Sequence, residues 1–304
     1  MTTIIKQMAD CWNDPYSSLF KIIARIKPEL MWHRYRQLAR DNGFKTLFFI
    51  LSFDCDTHQD AKVVLDLDSR LRDMGITPAY AVPGQLLEHS QNIYEKLYDR
   101  GTEFLNHGHV EHTFWNEVDA YNESCFFYDQ VGLDAVKKDI TDGHRTLKKI
   151  LGIKPKGFRA PHFGTFQKKS QLSYIHNLLV ELGYLFSSST VPVCGLKYGP
   201  ICNEFQLPEF PVSGCFSNPS HIFDSWGFFG APDRGDGNMP QNYLYEAESM
   251  AKFINQNQTT GILNYYADPS HVYDQPAFYK TMETIVSVAR STSFEELLTI
   301  NVKK

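Results

Sequence analysis

Aspartates, histidines and an arginine recur along this chain at the points where short apolar segments end. The segment "LFFILSFDCDTHQD", residues 47–60, runs seven largely apolar residues and then places Asp54 and Asp56 where the run stops. Such a run is typical of a strand buried on both faces, and its carboxyl end is where side chains first meet solvent. Two carboxylates there could form a reactive site, or could simply make a turn and cap the next helix.

The densest cluster of reactive side chains follows the segment "TEFLNH". Within six residues the chain carries three histidines and a glutamate, namely His107, His109, Glu111 and His112. A lone histidine is commonly structural, but three of them so close behind a strand favour metal binding. A divalent ion held by two histidines and an aspartate would lower the pKa of its bound water and polarise a carbonyl oxygen.

Two later segments end in the remaining polar residues. "GFRAP" presents Arg159, with His162 just beyond the proline, and "GILNYY" leads into Asp268 and His271. Arg159 could pair with a surface carboxylate, but its place at a strand end favours a buried role in which its fork holds a carboxylate. His271 could equally belong to a turn and a helix cap. Together these residue types predict a hydrolase of amide or ester bonds, with a carboxylate as proton acceptor and a histidine as proton donor.

Such residues can meet only if the intervening elements bring the segment ends to one rim. Strand-like and helix-like segments alternate from Thr46 onwards. The predicted strands are 46–53, 76–83, 102–107, 157–161, 184–190, 205–212 and 261–266, and the predicted helices are 60–74, 85–100, 131–151, 166–182, 241–257 and 276–290. Six or seven short strands, each followed by a helix, predict an α/β fold whose parallel sheet is closed, or nearly closed, into a barrel.

Residues 1–44 stand outside this alternation, and 45–304 are predicted to form a single barrel domain. Pro28 divides the leader into two short helices, and Gly43 ends the second. The basic and aromatic residues of the leader could lie on a membrane surface or a partner, but we favour an amphipathic helix that closes off the barrel. The loop 213–240 is rich in Gly, Pro, Asn and Ser and predicts a lid or substrate wall.

The bulk composition is that of an ordinary globular protein. The 304 residues are 42% hydrophobic and 21% charged with a formal charge of -5, which argues against nucleic acid as a partner. We find neither a secretory signal nor an apolar run long enough for a transmembrane segment. The six cysteines form no CxxC pair, which suggests reduced thiols and a cytoplasmic protein. The oligomeric state, including a homo-oligomer, stays open.

The motifs "SFDCD", "NHGHVEH" and "FRAPH", followed by a late strand ending near a histidine, together resemble the polysaccharide deacetylase family with the NodB homology domain. The resemblance covers about 45–290. It implies an irregular (β/α) barrel of about seven parallel strands that uses a divalent metal, often zinc, to remove acetyl groups from sugars. By this resemblance Asp54 is the general base, Asp56 and His107 are metal ligands, and Arg159 orients the base.

The third metal ligand is less directly assigned by the resemblance. The two histidines of the family motif are four residues apart, but four residues after His107 the chain has Glu111, and His112 follows at five. We favour His112 as the ligand, reached through a one-residue bulge. Glu111 and His109 are the alternatives.

Further departures from the family pattern concern the first motif and the later ones. The Asp-Cys-Asp order resembles a branch that includes some peptidoglycan deacetylases and the allantoinase-like amidohydrolases. The late histidine is expected near Tyr265 or Tyr266, so His271 must reach back from the following loop to act as the proton donor. His162 replaces a tyrosine common in the family and would line the substrate site.

The resemblance implies an N-acetylated sugar, or a sugar-linked precursor of a surface polysaccharide, as the substrate. Two other functions stay open. One is hydrolysis of a small amide or cyclic imide, as in the allantoinase-like branch, some of which do without metal. The other is a non-catalytic barrel that serves as a binding or scaffold subunit.

Overall fold

Strands and helices alternate through most of the structure, a computed structural model that describes residues 15–118, 120–230 and 240–300. The strands there are β1 (Leu47–Asp54), β2 (Ala79–Val82), β3 (Glu103–Asn106), β4 (Thr113–Asn116), β5 (Tyr121–Ser124), β6 (Gly157–Phe158), β7 (Phe186–Ser187), β8 (Gly261–Ala267) and β9 (Arg290–Ser291). The helices are α1 (Pro15–Ile26), α2 (Pro28–Asp41), α3 (His58–Asp73), α4 (Gly84–His89), α5 (Gln91–Asp99), α6 (Leu133–Leu151), α7 (Lys169–Leu182), α8 (Pro192–Tyr198), α9 (Trp226–Phe229), α10 (Pro240–Asn257), α11 (Pro269–Val272), α12 (Pro276–Val286) and α13 (Phe294–Thr299).

A parallel sheet organises the molecule. Its strands lie in the order β7-β6-β3-β2-β1-β8, and β9 also pairs with β1. Every residue of β1 is buried, because β1 has neighbours on both sides and alternate side chains enter two different cores. Phe49 and Phe53 pack in the larger core, which includes α3 side chains, whereas Phe48 and Ile50 pack in a second core with Phe294 of α13.

An irregular segment bridges the gap between the outer strands β7 and β8. The Phe210 N–H donates to the Ser187 carbonyl, and the Ser213 N–H donates to the Asn264 carbonyl, both at 2.8 Å. The sheet is therefore a curled, incomplete barrel, which confirms the predicted α/β class and the irregular (β/α) barrel. The strand predicted over 205–212 is wrong, since that stretch forms only isolated bridges at Glu209; its prolines cannot donate to a ladder.

The two leader helices differ in how they pack. They are separated at Lys27, as the proline predicts. Two hydrogen bonds hold helix α2 to the barrel. The Tyr35 hydroxyl donates to the Ile262 carbonyl oxygen, and the Trp32 Nε1–H donates to the Phe216 carbonyl oxygen at 3.1 Å. Helix α1 exposes large apolar side chains, so the membrane or subunit contact considered for the leader stays a prediction. None of the helices in the described ranges has the length and apolar content to cross a membrane.

Most predicted helices are present, with local differences at their ends. The helix predicted over 85–100 is broken at Ser90 into α4 and α5, and the helix predicted over 276–290 ends at Val286, before β9. The sequence patterns did not predict the antiparallel hairpin β4–β5, which pairs Thr113 with Ser124 and Asn116 with Tyr121. This hairpin lies between β3 and α6 and supplies side chains to the site described below.

Helix α6 packs closely against the loop that follows β3 through Gly143. An added Cβ at this residue would lie 2.3 Å from the Gly108 carbonyl oxygen and 2.4 Å from Asn106 Oδ1. We expect Gly143→Ala to cost about 3 kcal/mol through overpacking, which exceeds the gain in helix propensity of about 1 kcal/mol. Urea denaturation measures the loss. Gly132→Ala is the control, because nothing lies within 4 Å of its added Cβ; equal losses for the two variants would contradict the prediction.

Candidate active site

Asp54 and Asp56 leave β1 on the same side of the chain. Residues two apart on an extended segment point the same way, so both carboxylates face the barrel interior, and Cys55 between them packs into the larger core. Only 5% of Asp54 and 4% of Asp56 is exposed. The turn that follows is fixed by Asp60 Oδ2, which accepts the backbone N–H groups of Asp56 at 3.0 Å and Thr57 at 2.9 Å.

Asp56, His107 and His112 form a compact buried group. One carboxylate oxygen and one ring nitrogen from each histidine all lie within 4.8 Å of one another. Asp56 Oδ1 is 2.9 Å from His112 Nε2 and 3.5 Å from His107 Nε2. Two imidazoles and one carboxylate are the ligand types of catalytic zinc sites, which keep a further position for water or substrate.

The imidazole of His107 is oriented by the chain behind it. His107 Nδ1 lies 2.8 Å from the Arg159 carbonyl oxygen, so Nδ1 carries the proton and donates it to that carbonyl. The other ring nitrogen, Nε2, then keeps its lone pair and faces Asp56. This is the tautomer that a metal-binding histidine needs.

The hairpin explains how a histidine five residues after His107 returns to Asp56. The chain turns at Gly108, whose φ of 79° is left-handed, and Asp139 Oδ1 accepts the next two backbone N–H groups at 3.0 and 2.7 Å. His112 then directly precedes β4. The hydroxyl of Thr113, the first residue of that strand, donates a hydrogen bond to Asp56 Oδ2 at 3.0 Å. The tight turn and the start of the hairpin together accommodate the extra residue.

The charges of Asp56 and His112 stabilise each other. Burial alone would raise the pKa of Asp56, but the charge of His112 and its hydrogen bond to the carboxylate hold that pKa well below its usual range. Burial alone would likewise lower the pKa of His112, whereas neighbouring Asp56 raises it above its usual value. Metal binding at this group therefore competes with protonation of His112.

Arg159 lies fully buried behind Asp54. Its Nη1 donates to Asp54 Oδ1 at 2.8 Å, and its Nη2 donates to Ser52 Oγ at 2.9 Å and Ser188 Oγ at 3.1 Å. The guanidinium carbon also lies 4.9 Å from the ring centre of Phe163. These contacts orient one oxygen of Asp54 and leave the other, Oδ2, 3.9 Å from His107 Nε2. Asp54 is thus an oriented carboxylate beside the group formed by Asp56, His107 and His112.

The two alternative ligands of the second motif point away from this group. His109 Nδ1 lies 3.4 Å from Thr146 Oγ1 on α6. Glu111 Oε1 lies 3.0 Å from the exposed His89 Nδ1. The structure therefore brings His112, rather than His109 or Glu111, next to Asp56.

His162 borders the group formed by Asp56, His107 and His112. Its Nε2 lies 3.2 Å from the His112 carbonyl oxygen, and its ring centre is 4.5 Å from that of Phe127. Burial and the charge of His112 lower the pKa of His162 to about 4, so the ring is neutral at physiological pH. The role predicted for it in lining the substrate site stays a prediction.

His271 lies half-buried on α11, close to the same rim, but both of its ring nitrogens face protein groups. Nδ1 lies 3.3 Å from Ser225 Oγ, and Nε2 lies 3.4 Å from Asn122 Nδ2. Burial lowers the pKa of His271 to about 4. The residue that continues the inward-facing row of β8 is Asp268, one position after Ala267.

Sequence reasoning assigned no role to several polar residues that the structure places around these side chains. They are Ser188 at the end of β7, Asn122 on β5, and Ser225 and Asp224 in the long loop. Asp224 Oδ2 accepts the Tyr266 hydroxyl at 3.0 Å. Residues 231–239 of the predicted lid lie outside the described residues. Ser188 could have been predicted only from its position directly after a predicted strand. No sequence pattern indicates Asn122, Ser225 or Asp224.

Solved structures of other proteins share the fold of this chain. No family model and no curated protein sequence matches this chain. A candidate polysaccharide deacetylase from Mycobacterium smegmatis aligns with a TM-score of 0.62 and 18% identity over 83% of this chain and 88% of that chain. Another candidate polysaccharide deacetylase, from Pseudomonas aeruginosa PAO1, aligns at 0.59 with 9% identity over 83% and 90%. PuuE allantoinase aligns at 0.61 with 8% identity over 83% and 89%.

The chain therefore has the NodB-like barrel fold of the polysaccharide deacetylases, as its motifs suggested. The same fold occurs in an allantoinase. At these levels of identity the likeness defines the architecture, and the chemistry has to be argued from the residues themselves.

Proposed function

We propose that this protein is a metal-dependent hydrolase that removes an acetyl group from an N-acetylated sugar in polysaccharide or cell-surface glycan metabolism. The observation that carries this proposal is the buried group of Asp56, His107 and His112 beside the Asp54–Arg159 pair. A metal site next to an oriented, non-ligating carboxylate supplies the two functions that amide hydrolysis by water requires. The deacetylase-like barrel supports a sugar as substrate.

The residues present fit a divalent metal, and zinc in particular. Asp56, His107 and His112 would hold it, and the His107 tautomer fixed by the Arg159 carbonyl leaves Nε2 free to bind. A divalent ion bound there lowers the pKa of water and polarises a carbonyl oxygen.

Asp54 is the proposed general base, since of the two aspartates at the end of β1 only Asp56 belongs to the proposed metal-binding group. It accepts the proton of the attacking water. Arg159 is a positioning residue, because its guanidinium fork holds one oxygen of Asp54 and favours the ionised carboxylate. A proton must also reach the leaving nitrogen, and the end of β8 offers Asp268 and His271 for this step.

The test is release of acetate from a panel of N-acetylated compounds by protein reconstituted with zinc. The panel contains an N-acetylglucosamine oligomer and a nucleotide-linked N-acetyl sugar, and ring opening of allantoin, which has no acetyl group, is assayed in parallel. Acetate from either sugar that disappears after chelation and returns with zinc supports the proposal, and activity on the nucleotide-linked sugar alone supports a cytoplasmic precursor. Hydrolysis of allantoin without acetate release would support the amidohydrolase alternative.

Replacing a metal-binding histidine should remove bound metal without unfolding the protein. We expect His107→Ala and His112→Ala each to weaken zinc binding by about 100-fold or more, since each removes one of three protein ligands. Zinc per chain after dialysis against a competing chelator measures the effect. His109→Ala is the matched control, because this histidine faces Thr146. A similar zinc loss in the control would mean that the ligand assignment is wrong.

A further inference from the structure

The row of side chains along β8 that faces the barrel interior ends in a carboxyl group. Strands β1 and β8 are parallel neighbours in which Phe53 is paired with Ala267. The next residues, Asp54 and Asp268, therefore lie side by side and point to the same face. Asp268 keeps an extended backbone with φ -94° and ψ 132°, so the alternation of side chains continues through it.

The carboxyl group of Asp268 is buried and has no hydrogen-bond partner. Asp268 is fully buried, and neither of its carboxyl oxygens forms a hydrogen bond within the described residues. The nearest basic atom is His271 Nδ1, 3.5 Å from Oδ2. A buried carboxylate without partners is costly, whereas a protonated carboxyl group can persist and present its O–H to an incoming group.

The surroundings of Asp268 favour its protonated form. Burial raises the pKa of Asp268 well above its usual value, and nearby negative charges raise it further. Four aspartates supply the negative charges that raise this pKa. They are Asp56 just after β1, Asp60 on α3, Asp54 at the end of β1 and Asp224 in the long loop. His271, on α11, is the titratable base that faces it.

His271 is poorly placed to supply the same proton. Both of its ring nitrogens face protein groups, since Asn122 Nδ2 lies 3.4 Å from Nε2 and Ser225 Oγ lies 3.3 Å from Nδ1. The imidazole is therefore held by protein contacts on both nitrogens, whereas neither carboxyl oxygen of Asp268 has a hydrogen-bond partner among the described residues.

We propose that Asp268 is the catalytic acid that protonates the leaving nitrogen, paired across the β1–β8 ladder with the base Asp54. This assignment rests on the proposed hydrolase function. Asp54 takes one proton from water as the water oxygen bonds to the carbonyl carbon. The C–N bond then breaks, its electron pair stays on nitrogen, and nitrogen takes the Asp268 proton. Transfer of the proton held by Asp54 to the adjacent Asp268 restores the starting state, with acetic acid and the amine as products.

The test compares substrates that do and do not need an acid. An amide nitrogen must be protonated to leave, whereas the phenolate of an activated aryl acetate leaves as an anion. We expect Asp268→Asn to lower kcat on the N-acetyl sugar by about 10²–10⁴-fold and on the aryl acetate by less than about tenfold. Asp268→Glu, which keeps a proton, should recover part of the amide activity. Wild-type amide hydrolysis should fall on the alkaline side as Asp268 ionises, and aryl ester hydrolysis should lack this decline.

Several results would overturn the assignment of Asp268. Equal losses on both substrates, or none, would show that it is not the acid, and an amide-selective loss in His271→Gln but not in Asp268→Asn would assign the role to His271. Infrared spectra of zinc-loaded protein at neutral pH should contain a protonated-carboxyl band that Asp268→Asn lacks, and absence of this band in the wild type also rejects the proposal. If the wild type hydrolyses neither substrate, the proposed function itself fails.

Discussion

Replacing Asp54 with asparagine is expected to lower kcat for acetate release by about 10²–10⁴-fold, the usual contribution of a positioned general base. Zinc content should stay near that of the wild type, because the proposed metal ligands are Asp56, His107 and His112. The loss should affect an N-acetyl sugar and an activated aryl acetate alike, since both need the water to be deprotonated. Steady-state acetate or phenolate release, with metal per chain measured on the same samples, provides the comparison.

The matched control for Asp54→Asn is Asp66→Asn on α3. Asp66 is an exposed aspartate whose ion pair with Arg70 spans 2.7 Å at the surface, so its replacement should leave turnover within about twofold because such pairs contribute little. Circular dichroism at the assay temperature must show that Asp54→Asn remains folded, since this variant leaves Arg159 buried without a counter-ion. Wild-type turnover in a folded Asp54→Asn protein would contradict the assignment and favour a non-catalytic barrel.

The fold could be predicted because its main signals are local. The apolar run of β1 is long for a strand and uninterrupted, so burial on both faces followed directly, and the two aspartates at its end marked the rim of the barrel. The leader helices were equally clear, since Pro28 can begin a helix but cannot continue one. The irregular closure at Glu209 was not predictable, because its isolated bridges to Ser187 and Cys202 follow from no local pattern of apolar residues.

The proposed metal-binding group shows where local patterns stop being sufficient. The spacing of histidines in "NHGHVEH" allows three candidates, and the choice depends on a hairpin that no alternation of apolar residues indicated. Thr113 joins the start of that hairpin to Asp56, which places His112 beside the aspartate. The structure thus separates candidates that the spacing left open.

The end of β8 illustrates a second limit. Sequence reasoning looked for a histidine near this strand end and selected His271, the nearest one along the chain. Register brings a different residue to this position, because pairing of Phe53 with Ala267 puts Asp268 directly beside Asp54. Register between strands more than two hundred residues apart cannot be inferred from one segment. Two adjacent carboxyl groups in contrasting environments are also a recurrent way to obtain a base and an acid from the same residue type.

Arg159→Met is expected to lower the free energy of unfolding by about 3–5 kcal/mol, the usual cost of removing one partner of a buried ion pair. Methionine preserves much of the apolar packing beside Phe163, so the loss reflects the buried Asp54 carboxylate left without its counter-ion. Ser52 and Ser188 also lose their guanidinium donor. Urea denaturation at neutral pH, followed by circular dichroism, measures the change.

A double-mutant cycle separates the charge effect of Arg159 from general loss of packing. Because Asp54→Asn removes the uncompensated charge, the double variant with Arg159→Met should be more stable than the sum of the single effects by about 1–3 kcal/mol. Arg145→Met is the control, since this arginine forms an exposed pair with Asp142 that should contribute less than about 1 kcal/mol. Strict additivity of the Asp54 and Arg159 effects would show that the guanidinium stabilises the barrel by packing alone and does not hold the proposed base in its ionised form.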